Sequence, residues 1–176
     1  GGVVGRCHGF KGVKDWGFFP YLAGRVAEAG LVAVRFNFSM NGIGPTLDYH
    51  TELEKFAANT ISQELRDLDL VLKTLRNGDL PGADRMTPRR LGLFGHSRGG
   101  GIVLTRTLDD LGVRAVATWA SIGGFDKHLP IDPEVWKKLG RIEVLNVRTN
   151  QKLPLDYSAW EDLQAHKAAF DFPARL

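Results

Sequence analysis

Apolar residues along this chain fall into short runs of strand length, separated by longer segments spaced for a helix. Residues 3–7 (VVGRC) read as a strand, and 19–29 as a helix closed by Gly30. Residues 31–38 read as a second strand, with Val32, Val34, Phe36 and Phe38 on one face. A polar loop with Asn41, Gly42, Gly44 and Pro45 follows. Thr60 and Gln63 fit a capping box ahead of the apolar stripe Ile61, Leu65, Leu68, Leu72 and Leu75, and Gly78 closes that helix. A strand at 90–95, a helix at 98–111 and a strand at 113–119 complete the series. Strands separated by helices require right-handed crossovers, so the pattern predicts a single α/β domain over 1–176, with a mostly parallel sheet flanked by helices.

The rhythm changes after Trp119. Asp132-Pro133 starts a short helix to Leu139, with Gly140 beyond it. Residues 142–147 and 152–155 read as two short strands around RTNQ. Ser158 and Glu161 fit another capping box, which predicts a helix to about Phe170. Residues 121–170 thus form an excursion after the strand at 113–119, near the C-terminal edge of the sheet, where a lid over a pocket would sit. An ordinary connection without ligand contact is the plainer alternative. Trp136, Leu153, Tyr157 and Trp160 suit an apolar acyl or aryl site, and suit equally well the packing of the excursion onto the body.

Composition narrows the function classes. The chain has 176 residues, 43% of them hydrophobic, enough for one core. Its 23 basic and 20 acidic residues give a net charge of +3, scattered apart from the RMTPRR cluster at 85–90. A nucleic-acid partner would need a concentrated basic face or a reader motif, and the chain has neither. One cysteine excludes an intrachain disulfide and a cysteine-rich metal site, so a reducing cytoplasm is the default expectation. No apolar run reaches membrane-span length. The chain begins almost inside a strand without a leader, as expected of one cut at that end.

The chemistry concentrates in LGLFGHSRGGGIVL, residues 91–104. A strand turns straight into a helix through Gly95-His96-Ser97-Arg98-Gly99, a G-x-S-x-G turn. In such a turn the serine backbone is strained and its hydroxyl projects from the sheet edge. Residues two before and two after it crowd together, which Gly95 and Gly99 allow. The following helix start offers free N–H groups to developing negative charge. Near the chain start, His8-Gly9 follows an apolar strand, where a second oxyanion donor is wanted; the N–H groups of Phe10 and Arg98 are the candidate pair. Gly9 and Gly12 allow close backbone approach. Cys7, at the end of the first strand, reads as a small buried hydrophobe and not as a nucleophile.

CHGFKGVKDWGFFPYLA, VRFNFSMNGIG and LGLFGHSRGGGIVL resemble the α/β-hydrolase superfamily, in particular its dienelactone-hydrolase-like and serine-aminopeptidase-like esterase branches. TWASIGGFD and IEVLNVRTNQKLPL extend the resemblance over nearly the whole chain. It implies an eight-stranded, mostly parallel sheet, a Ser–His–acid triad, and hydrolysis of small-molecule esters or related acyl compounds without cofactor or metal. Carried over by position, Ser97 would be the nucleophile, Phe10 and Arg98 the oxyanion donors, His8 and Gly9 the shapers of that loop, and Gly95 and Gly99 the elbow. Dienelactone hydrolases proper use cysteine as nucleophile, where this chain has Ser97.

Such triads run Ser, acid, His along the chain. His128 and His166, the histidines after Ser97, do not follow a late strand and read as solvated or structural; Asp126, Asp156, Asp162 and Asp171 read as caps and surface charges. AAFDFPARL reads as a helix end approaching a further strand. The triad acid and base, with the last strands, are therefore expected beyond Leu176. Two function classes follow: a serine esterase or acyl hydrolase, almost inactive as this chain alone, or a non-catalytic α/β-hydrolase-like binding protein that keeps the elbow as a relic.

Overall fold

The computed structural model describes residues 1–46, 49–127 and 129–176. Strands β1 (Val3–Cys7), β2 (Val32–Arg35), β3 (Leu91–His96) and β4 (Val113–Trp119) form a parallel sheet in the order β2-β1-β3-β4. Helices α1 (Phe19–Glu28), α3 (Ile61–Asn77) and α4 (Arg98–Asp109) make the crossovers, with a short α2 (Leu53–Ala57) ahead of α3. Beyond the sheet come α5 (Pro133–Leu139), the antiparallel hairpin β5 (Arg141–Asn146) and β6 (Gln151–Asp156), and α6 (Ser158–Ala165), α7 (Lys167–Phe170) and α8 (Phe172–Arg175). Among the described residues the parallel sheet has four strands, not the eight that the resemblance implies, and β4 is an outer strand. No helix among the described residues is long and apolar enough to cross a membrane.

The register explains the placement of the site. β1 lies between β2 and β3, pairing Cys7 with Gly95, so both central strands end at the same height. Loops leaving β1 and β3 therefore emerge side by side. The core beneath them joins Val3, Cys7, Leu91 and Leu93 to Leu65, Leu68, Leu72 and Leu75 of α3 and to Ile102 and Val103 of α4. A second cluster, of Phe56, Trp136, Ile142, Leu153 and Leu155, fills the excursion. Trp160 packs against both clusters.

Several expectations meet corrections. The second strand stops at Arg35 and not at 38, because the chain turns down to bury Phe38 beside His8. Thr60 Oγ1 accepts the Gln63 N–H as a cap should, but the Gln63 side chain reaches Asp67 and Ser39 instead of closing the box. Ser158 is the first residue of α6 and makes no cap; Tyr157 precedes it. That helix ends at Ala165, and His166 separates it from α7. The segment after Phe170 forms one more short helix, which Asp171 caps through the Ala174 N–H. α2 lay outside the sequence reading, since five residues carry too little periodicity to show.

Removing the Leu68 side chain, fully buried where α3 meets the sheet, is expected to cost about 2–5 kcal/mol. Leu70→Ala, on the exposed face of the same helix, should stay within about 0.5 kcal/mol of the parent. Denaturant midpoints of the two variants check both figures.

Candidate active site

Ser97 stands between β3 and α4 with φ 53° and ψ −122°, a conformation that L-residues seldom adopt. Such backbone costs about 1–3 kcal/mol and persists only when the surroundings enforce it. Here they do. The Ser97 N–H donates to the Trp119 carbonyl (3.1 Å), and the Ser97 carbonyl accepts from Gly100 (2.9 Å) and Ile122 (3.3 Å). Both peptide groups of the turn are thus held by the end of β4 and the segment after it.

The glycines around the turn each face a different neighbour. A Cβ on Gly95 would lie 2.3 Å from the Gly99 carbonyl oxygen; one on Gly99 would lie 2.4 Å from that of His8 and 2.5 Å from that of Cys7. Gly100 abuts Ser121, and Gly101 abuts the rings of Phe125 and Phe172. From the other side, a Cβ on Gly9 would lie 3.0 Å from Ser97 Cβ and 3.4 Å from its Oγ. The His8-Gly9-Phe10 loop and the Ser97 turn, 88 positions apart in sequence, are therefore in backbone contact. Arg98 opens α4, so its N–H has no carbonyl to bond within the helix.

Side chains brace this arrangement. The Arg98 guanidinium lies 4.4 Å from the Phe10 ring centre and pairs with the buried Glu64 of α3. Glu64 also accepts from Asn59 Nδ2 at 2.8 Å. Phe10 rests on Phe56 of α2 at 5.6 Å between ring centres. Lys11 Nζ donates to the Leu145 carbonyl at 2.9 Å, which ties the loop to the hairpin.

The titratable groups nearby are mostly unsuited to proton transfer. His8 is buried; its Nδ1 bonds the Gly9 carbonyl at 2.9 Å, and its Nε2 accepts the Phe38 N–H at 3.3 Å. Burial pushes its pKa down to about 4, against the upward pull of the Gly9 bond. His96 packs edge-on against Phe18 and Phe19, and burial lowers it too. His50 is buried against Phe56 and lowered to about 4, by burial first and then by the Arg148 and Lys11 charges. Burial raises the Cys7 thiol well above its ordinary value, with Glu64 adding to the effect, so it stays protonated. His166 lies at the junction of α6 and α7, bonded to the Asp162 carbonyl and stacked on Phe170. Asp171 is a helix cap and Asp156 an ion-pair partner of Arg141. His128 falls outside the described residues. Among the described residues, no histidine ring nitrogen is hydrogen-bonded to Ser97 Oγ.

A cavity of about 280 Å³ opens beside Ser97. Phe10, Ile61 and Arg98 form its body side; Trp136, Leu155, Trp160 and Leu163 come from the excursion. Of the four excursion residues singled out in sequence, Trp136 and Trp160 line this space, whereas Leu153 and Tyr157 pack inside the excursion. Phe125 and Leu155 also line it and carried no sequence signal, since lone apolar residues in irregular or short elements show no periodicity.

No protein-family model and no curated protein matches the chain. Solved structures do. It is similar to the α/β hydrolase GrgF from Penicillium sp. sh18 (TM-score 0.63, 17% identity, 95% of this chain and 58% of that one). It is similar also to Est1E from Butyrivibrio proteoclasticus with ferulic acid bound (0.68, 18%, 97% and 63%). A dienelactone hydrolase from Anabaena variabilis ATCC 29413 matches over a smaller part (0.52, 20%, 68% and 52%). The chain spans between 52% and 63% of the length of these structures. At such identities the likeness is one of fold: the chain has the α/β-hydrolase fold.

Two predictions follow from the packing and the buried imidazoles. Gly95→Val should lower stability by at least about 1–3 kcal/mol, because its side chain must displace the α4 backbone; thermal melts against the parent check this. The second concerns acid. His8 and His50 stay neutral in the folded protein down to about pH 4, whereas the unfolded chain protonates them below about 6.5. Over that window the unfolded state binds more protons, so folding stability falls as pH falls, by about 1.4 kcal/mol per pH unit for each group. Denaturant titrations between pH 4 and pH 7 should show this slope, and His50→Leu should reduce it.

Proposed function

We propose that this chain carries the nucleophile and the oxyanion-binding half of a serine hydrolase acting on carboxylic esters or related acyl compounds. The observation that carries the reading is the strained Ser97 backbone held against Gly9, beside an apolar cavity. Ser97 Oγ attacks the substrate carbonyl, and the Phe10 and Arg98 N–H groups receive the oxyanion that forms. His8 and Gly9 shape the loop that presents Phe10. Gly95 and Gly99 let strand and helix crowd the serine. The excursion over 121–170 serves as the lid and supplies the apolar wall on which the acyl group rests.

A serine hydroxyl needs a base to attack at a useful rate. The bonds and packing of His8 and His96 hold their rings away from this task, and burial lowers the basicity of both. The reading assigns the base and its acid partner to sequence following Leu176. No cofactor or metal enters the reaction, and the substrate is a small molecule held between body and excursion.

The test is a fluorophosphonate probe on the protein extended beyond Leu176. Labelling should occur at Ser97 and vanish in Ser97→Ala, with hydrolysis of a p-nitrophenyl ester lost in parallel. The loss is expected on the order of a millionfold in turnover, as when a triad nucleophile is removed. Labelling that survives Ser97→Ala overturns the assignment. The 176-residue chain should turn over far more slowly than the extended one, keeping only what binding and the oxyanion donors provide.

A further inference from the structure

The cavity beside Ser97 is bounded in part by the Phe125 ring. Phe125, Gly124 and Leu163 line both this space and a second cavity of about 180 Å³, whose remaining walls include Asp126, Lys127, Gln164, Lys167 and Asp171. The first space is walled mainly by aromatic and aliphatic groups, whereas the second mixes the charged Asp126, Lys127, Lys167 and Asp171 with Phe170 and Pro173. Phe125 is held where it stands. Its ring meets Phe172 edge-on at 5.6 Å and Phe170 at 5.9 Å. Gly101 of α4 leaves room for it: a Cβ there would come within 3.0 Å of the ring.

We infer that Phe125 is a specificity-determining partition, which limits the enzyme to compact acyl groups of one aromatic ring or a short aliphatic chain. This rests on the acyl-hydrolase reading of the same cavity. A cavity of roughly 150 Å³ accepts benzene. The space beside Ser97 therefore has room for a single ring with a short tether. Four aromatic residues line it, Phe10, Phe125, Trp136 and Trp160, so a ring finds edge and face partners there. Among the described residues the one charge on the wall near Ser97, that of Arg98, is paired with Glu64, which suits an uncharged acyl group. A longer chain directed toward the second cavity meets the Phe125 ring first. Without that ring the two spaces become one channel, and the chain runs out past Lys127 and Lys167 to solvent.

The experiment compares p-nitrophenyl acetate, butyrate, benzoate and decanoate on the protein extended beyond Leu176, as parent, Phe125→Ala, Phe125→Leu and Phe125→Trp. The parent should prefer butyrate and benzoate to decanoate by at least about tenfold in kcat/KM, the scale of apolar-pocket discrimination. Phe125→Ala should raise the decanoate-to-butyrate ratio at least about tenfold, Phe125→Leu should raise it less, and Phe125→Trp should lower the benzoate-to-acetate ratio. Binding gives an independent reading in a Ser97→Ala background, through quenching of Trp136 and Trp160 fluorescence by decanoate and butyrate. Should Phe125→Ala fail to fold, the Leu and Trp variants carry the comparison. Unchanged ratios together with unchanged binding selectivity overturn the partition and leave the serine-hydrolase reading intact. Hydrolysis that persists in Ser97→Ala overturns the serine reading, and the binding series then still decides the partition.

Discussion

The amino end of α4 lies so close to the carbonyls of Cys7 and His8 that no side chain fits between them. Much of the molecule is arranged around this approach. It needs Gly99 at the crossing and Gly95 in the strand above it. It also fixes the height at which β1 and β3 end, through the pairing of Cys7 with Gly95. Because both loops leave the sheet at that height, Gly9 reaches Ser97 and the α4 amides face the same space. The strain at Ser97 is the local cost of the sharp turn, offset by hydrogen bonds from Gly100 and Ile122 and by the core that α4 buries.

Polar groups reinforce the contact from below. Glu64 is buried under the elbow, where an unpaired carboxylate would be costly, and its Oε1 takes both the Arg98 guanidinium and the Asn59 amide. The same pairing holds the Arg98 side chain against Phe10. The helix that carries the apolar stripe thus also fixes the side chain of the residue next to the serine. His8 does similar work with neutral chemistry: its two ring nitrogens join the β1 loop to the segment that buries Phe38.

The sequence made the strand–helix alternation legible because each crossover segment repeats its pattern over two or more turns, as α3 does from Ile61 to Leu75. α5 was equally clear, since Asp132 accepts from both Glu134 and Val135 and Gly140 stops the helix. The end of the chain was not. At Ser158 the cap pattern was present, yet the helix began one residue early, because Tyr157 packs on Trp136 and leads the chain straight into it. The elbow glycines could be read from the turn they flank. Gly100 and Gly101 could not, because their partners, Ser121, Phe125 and Phe172, arrive from later segments. The cavity was half legible for the same reason: its walls come from stretches far apart in sequence, and sequence spacing says nothing of how they meet.

Trp160 belongs to the body core and to the excursion core at once, and the cavity is the gap those two cores leave between them. The gap is a joint held by apolar contact and by the Lys11 Nζ bond from the β1 loop to the Leu145 carbonyl of the hairpin. A ligand in that space would touch body and excursion at once, so its binding would resist their separation. Occupancy and clamping are then one equilibrium. A tightly held product would tighten the very seam through which it has to leave.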